Sequence, residues 1–288
     1  MGLRGPGGAA DYFGVRGAKW WRSPSTGDSR GTRGPTRNLT SSQVACVNLL
    51  LPLGDRPDLL AAMLRVLDPE IANVAPLEYE GPGRRAISAY VELEWTGRVG
   101  TLEGRGSRGD RATSADACLI GVTESGARRA FLLEFKYTEA YRVGESKGVG
   151  DQGEKRRRTY RRRYEDAASS FSGVASLDDV LYEPFYQIVR LGLLGDSMRA
   201  DSELALADAR VVVVCPTENT AYRNRITSPK LAERFPTAST VDEVAGELWK
   251  DSRGFAVADP KALVDAVRTA GGEAVDSWSH YISLRYGW

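Results

Sequence analysis

Residues 131–141 read "FLLEFKYTEAY", an apolar run interrupted by two opposite charges. Successive side chains on a strand point to opposite faces. Phe131, Leu133, Phe135 and Tyr137 therefore share one face, and Leu132, Glu134, Lys136 and Thr138 share the other. So apolar a run belongs to a core sheet, and the chain must fold around a strand that holds a glutamate and a lysine on the same side. Two runs of β-formers precede it, "AISAYVELEW" (86–95) and "ADACLIGVT" (115–123), and the short turn "ESGA" leads from the second into a strand over 129–139. Three successive strands with hairpin-type links are predicted. A fourth, "ARVVVVCP" (209–216), is the plainest buried strand in the chain.

Helical spacing fills the intervals. "SSQVACVNLLLPL" is capped by Ser41 or Ser42, and "DRPDLLAAMLRVL" is opened by Asp55 and Pro57. In "EKRRRTYRRRYEDAASSF" an apolar stripe runs through Tyr160, Tyr164, Ala167 and Phe171, while seven of the nine residues from Lys155 to Arg163 are basic. Another helix starts at Pro184, and from Ser228 onward the chain reads as short helices. The order is helices, three strands, helices, one strand, helices, an α/β pattern. With 288 residues and 42% hydrophobic content, the chain can bury one large core or two modest ones.

Charge separates the ends. Residues 1–40 carry seven Lys/Arg against two Asp/Glu, although the whole chain is only +1, and "RGPGG" and "RGTRGPTR" predict a partly flexible basic arm on which Trp20 and Trp21 are candidate docking points. The folded domain is expected over 41–288. Cys46, Cys118 and Cys215 sit singly in apolar runs and there is one histidine, His280, so zinc and disulfide frameworks are disfavoured against buried thiols. No run approaches the roughly 20 apolar residues of a membrane span, and no signal-peptide core is visible. The expected compartment is the cytoplasm, with no membrane partner and no glycan at Asn38.

Several motifs compete for function. "GRGSRG" (104–109) matches the phosphate-cradling GxGxxG, but that motif needs a strand before and a helix after it, and here a strand follows. An ExK pair is also cheap: about one is expected by chance in a chain this long, and Glu145 with Lys147 forms a second in a glycine-rich loop that would fix neither side chain. What distinguishes Glu134 and Lys136 is Asp116, at the start of the preceding strand. In an antiparallel hairpin the start of one strand lies beside the end of the next. Two carboxylates and an ammonium then converge, a set suited to Mg²⁺ or Mn²⁺ and to phosphoryl chemistry. The ordinary alternative is a Glu/Lys pair on an exposed sheet face.

"TSADACLIG" followed by "FLLEFKYTE" resembles the PD-(D/E)XK nuclease superfamily, in particular a bacterial restriction-endonuclease-like branch. "SSQVACVNLL", "ELEW", "EPFYQIVRLGLLG" and "LRYGW" are also similar to that branch, so the resemblance runs from about Ser41 to the end. It implies an αβββαβ core, a mixed central sheet flanked by helices, and a Mg²⁺-dependent DNA endonuclease, with restriction or other defence as its role. It further implies Asp116, Glu134 and the Phe135 carbonyl as metal ligands and Lys136 as the water-positioning or activating group. Glu94 is the corresponding extra acid, with Glu92 and Glu80 as alternatives. Ala115 replaces the motif's proline.

DNA contacts are expected from Arg105, Arg108 and Arg111 in the long link, from Lys155, Arg156, Arg157, Arg158, Arg161 and Arg162 in the basic run, and from Gln187 and Arg190. Gln187 and Arg190 can equally brace the site. A homodimer or the partner proteins of a defence system are further expectations. The alternatives are a catalytically inactive DNA-binding subunit and an RNA nuclease of the same fold.

Overall fold

The computed structural model describes residues 9–16, 40–81, 84–98, 102–104 and 112–288. Helices α1 (Ala9–Arg16), α2 (Ser42–Leu50) and α3 (Pro57–Leu67) come first. Strands β1 (Ile71–Ala75), β2 (Leu77–Glu80), β3 (Ala86–Ala89), β4 (Glu92–Trp95), β5 (Ala115–Thr123) and β6 (Arg128–Phe135) follow. Helices α4 (Gly150–Tyr164) and α5 (Phe185–Ala200) lead to β7 (Leu206–Val214). The remainder comprises α6 (Thr220–Arg223), α7 (Pro229–Arg234), α8 (Val241–Glu247), β8 (Phe255–Ala258), α9 (Pro260–Gly271) and α10 (Asp276–Tyr286).

Six strands form one mixed sheet. β5 and β6 are antiparallel, whereas β6, β7 and β8 run parallel. The other edge of β5 is shared end to end: β4 pairs with its first half and β1 with its second, both antiparallel. Strand parity then separates two cores. Leu132, Val211 and Val213 face α4, α5 and α8, while Phe131, Leu133, Phe135, Val212 and Val214 face α2, α3, α9 and α10. The result is a sheet with helices on both faces, the arrangement that parallel strands buried on both sides require.

Local chemistry accounts for the helix starts. Ser41 caps α2 by accepting the Val44 N–H, and Pro57 occupies the first turn of α3, where a missing N–H costs nothing. In α4 the apolar stripe shortens to Tyr160 and Tyr164: the helix stops at Tyr164, and Phe171 instead packs on Trp249 with ring centroids 4.7 Å apart.

Two expectations are corrected. The single strand expected over 86–95 is two strands: Ala86–Ala89 pairs with β2 in a separate hairpin, and Glu92–Trp95 joins the main sheet after a break at Tyr90 and Val91. The burial pattern explains the break, because β4 is buried at every position while β3 buries mainly Ile87. Second, β1 and β8 enter the sheet from segments read as connections or helices, and the strand predicted to end at 139 ends at Phe135. Within the basic arm, the described residues are ordered. Residues 9–16 are helical, and Phe13 is buried in the core beneath α2 and α3. Trp20 and Trp21 lie outside the described residues.

Candidate active site

The backbone ladder between β5 and β6 ends at the pair Ala117 and Leu133. Beyond it the Asp116 side chain replaces the next rung, with Oδ2 accepting the Phe135 N–H at 2.7 Å. This bond anchors Asp116 between the two charged positions of the following strand. Lys136 lies one residue past β6, yet its N–H still donates to the Val214 carbonyl at 2.9 Å. Its ammonium donates to Glu134 Oε1 at 2.7 Å. Asp116, Glu134 and Lys136 are only 8%, 5% and 3% exposed, which rules out the solvated sheet face as their setting.

Burial makes this cluster electrostatically tense. Desolvation first, then the charges of Glu134 and Glu94, push the Asp116 carboxyl well above the usual carboxylate range, against the pull of Lys136 and the Phe135 N–H. For Lys136, burial opposes the charged form, but Glu134, followed by Tyr141, Glu139 and Asp116, outweighs it, and the ammonium is held well above its ordinary value. Cys46 lies beneath, its thiol 3.7 Å from the Asp116 carbonyl; burial, then Asp116, Glu94 and Glu134, push it far up, so it stays a thiol.

Among the three candidate extra acids the geometry separates clearly. Glu94 is buried and sits at φ +52°, a left-handed conformation that costs a non-glycine residue about 1 kcal/mol. Gln43 of α2 and Ser114 hold its two oxygens at 2.7 and 3.1 Å, and its charge reaches Asp116. Glu92 faces elsewhere: Arg16 grips it at 2.9 Å, and the Tyr12 and Tyr79 hydroxyls donate to it. Glu80 is exposed on β2.

Among the described residues, no three His, Cys, Asp or Glu side chains are grouped closely enough to hold a metal ion. The donor chemistry nevertheless fits a hard divalent cation. Asp116 and Glu134 each keep one carboxylate oxygen with no hydrogen bond among the described residues, and their shared charge is what such an ion removes.

The basic residues divide by partner. On α4, Arg157 and Arg161 both bind Asp178, and Arg156 donates to the Tyr186 hydroxyl and the Lys147 carbonyl. Lys155, Arg158 and Arg162 are exposed, with no acidic partner among the described residues. Arg190 is spent internally on Thr113 at 2.8 Å and Glu103 at 3.5 Å, so it braces the link rather than pointing at solvent. Gln187 accepts from the Tyr141 hydroxyl at 3.4 Å. Arg105, Arg108 and Arg111 lie outside the described residues. Of the second ExK pair, Glu145 is exposed, but Lys147 is tied down more than a free loop would allow, by its N–H to Leu181 and by Glu183 at 3.9 Å from its ammonium.

Two neighbours of the cluster were not among the site residues expected from the sequence. Glu183 is a mostly buried carboxylate whose Oε2 has no hydrogen bond among the described residues. Burial raises its pKa against the opposing charges of Lys136, Lys147 and Arg190. Asn219, far along the chain, touches the backbone just after Lys136. Its one visible signal was "ENTAYR", an Asn in helix-capping position.

Residues 22–287 match the family described as Restriction Endonuclease associating with ARP. The chain belongs to this family. The match covers nearly the whole chain and bears out the restriction-endonuclease-like resemblance; α1 lies just before the matched span. Membership makes the protein a restriction-endonuclease-type nuclease, a hydrolase. No curated protein and no solved structure matches it. No described helix is long and apolar enough to cross a membrane.

Proposed function

We propose that the chain is a Mg²⁺-dependent endonuclease acting on DNA, with α2, then β4, β5 and β6, the α4–α5 region and β7 forming a restriction-endonuclease-like αβββαβ core. The observation that carries this reading is the convergence of Asp116, Glu134 and Lys136 at one buried end of the sheet, anchored by the bond from Phe135 N–H to Asp116. Asp116, Glu134, Glu94 and the Phe135 carbonyl are the groups that would hold the metal. When bound, Mg²⁺ supplies Lewis acidity at the phosphoryl centre and compensates the carboxylate charge.

The chain's own part is positioning and charge. Lys136, kept protonated by Glu134, donates to a water or to a phosphoryl oxygen rather than serving as the base. The reaction adds water across one P–O ester bond. Lys155, Arg158 and Arg162 on the outer face of α4 would meet phosphates, supported by the link arginines and the basic arm. The family's description suggests association with ARP, and a role in defence against foreign DNA fits it; two copies would be needed to cut both strands with paired sites.

The test is plasmid cleavage with Mg²⁺ by the wild type, Glu134→Ala, Lys136→Ala and Glu145→Ala. The first and last should cut and the other two should not; equal activity in all four refutes the assignment. One observation favours a second reading, a DNA-binding subunit without catalysis: both Glu94 oxygens are already occupied by Gln43 and Ser114. Salt-sensitive DNA binding with no cleavage under any divalent metal would establish it, and selective cutting of structured RNA would redirect the substrate.

A further inference from the structure

The regular strand stops at Phe135 and the Lys136 N–H makes the last bond to β7, at the Val214 carbonyl, so something other than the ladder must hold the backbone that leaves Lys136. The carbonyls of Lys136, Tyr137 and Glu139 all converge on Asn219 Nδ2, at 3.4, 3.3 and 3.2 Å. On its other side the same side chain accepts the Tyr222 N–H through Oδ1 at 3.2 Å, capping α6. The amide orientation is fixed by chemistry, since carbonyls only accept and an N–H only donates. Asn219 thus faces a curled backbone with its donors and a helix start with its acceptor. A serine or aspartate would serve the cap equally well; the gathering of three carbonyls needs the amide.

Resting on the nuclease reading above, we infer that Asn219 is a positioning residue for Lys136. By gathering the carbonyls after the strand it stops the segment from unwinding and so keeps the ammonium on Glu134. Aromatic packing holds the neighbouring side chain, with Tyr137 edge-on to both Tyr286 and Trp288 at 5.4 Å. The bracket and the packing act on different atoms. Tyr137 is fixed by its ring, while Lys136, which has no such anchor, depends on its backbone.

Asn219→Ser and Asn219→Asp keep the cap and remove the donor pair, which separates positioning from helix capping. Two measurements decide: Mg²⁺-dependent DNA cleavage resolved into kcat and KM, and amide hydrogen exchange at residues 137–140 against that of β7. With Lys136 displaced by an ångström or so, kcat should fall about 10- to 100-fold with KM within about twofold. Exchange at 137–140 should rise about tenfold or more while β7 stays protected. Wild-type kcat in the serine variant overturns the inference, whatever the exchange shows. If the wild type cuts no DNA, the nuclease reading falls by itself; increased exchange confined to 137–140 then still supports the bracket, and unchanged exchange overturns it.

Discussion

Replacing Asp116 with asparagine should make the metal-free protein more stable. Asparagine preserves the shape and leaves an oxygen for the Phe135 N–H, but removes a buried charge that Glu134 and Glu94 oppose. The loss to Lys136 is small, because Glu134, Tyr141 and Glu139 each support the ammonium more than Asp116 does. The sign follows from linkage. The native state holds the Asp116 proton more tightly than the unfolded chain does, so stability falls as pH rises from the unfolded carboxylate value, near 3.9, through the raised native one.

Each unit of that interval costs about 1.4 kcal/mol. Allowing for relaxation and for the weaker neutral hydrogen bond, a net gain of about 1–3 kcal/mol is expected in the variant at pH 8, equivalent to roughly 2–10 °C for a chain of this size. The assay is thermal unfolding in EDTA from pH 4 to pH 8. The variant should melt higher at pH 8, and the gap should close towards pH 4. Added Mg²⁺ should raise the wild-type midpoint and leave the variant nearly unmoved. A variant that melts at or below the wild type throughout the range would refute the claim that Asp116 is a strained charge.

Glu103 should behave in the opposite sense. Although burial opposes ionisation, Thr113, Tyr160 and Arg190 hold its carboxyl below the ordinary range, so its contribution is present above the unfolded value and lost as pH falls through the native one. Glu103→Gln should therefore lower the melting temperature at pH 7, and the difference should shrink as the pH is lowered, as read by calorimetry. In DNA binding, the triple alanine variant at Lys155, Arg158 and Arg162 should reduce the slope of log K against log salt by about 3, and Arg157→Ala should change it less because Asp178 already holds that charge. Phe13→Ala, at a side chain 1% exposed, should cost about 3–5 kcal/mol or the smaller cost of undocking α1, measured by denaturant unfolding.

The parts that could be read from sequence are those where burial acts on both faces of a long strand. β5, β6 and β7 lie where continuous or alternating apolar runs place them, and parity alone put Glu134 and Lys136 on one side. Asp116 was legible because hairpin geometry brings a strand start to its neighbour's end. Short elements were not: β1 and β8 are five and four residues long, too brief for any period, and are made strands by their neighbours. The split of 86–95 depends on a change of sheet that local pattern does not encode. Asn219 was hidden for another reason, since its role depends on backbone carbonyls some 80 residues earlier, and carbonyls leave no mark in a sequence.

The helix α1 has a consequence for assembly. The Leu93 N–H of β4, on the side away from β5, donates to the Tyr12 hydroxyl at 2.8 Å, and Arg16 covers the adjoining Glu92. A strand from another molecule seeking this margin of the sheet would find its hydrogen-bonding group already taken. Two copies could join their sheets along β4 only by first peeling the helix away, a step that exposes Phe13 and strands the buried Glu92 charge. If two molecules pair, their contact should therefore avoid this margin, which stays an internal seam.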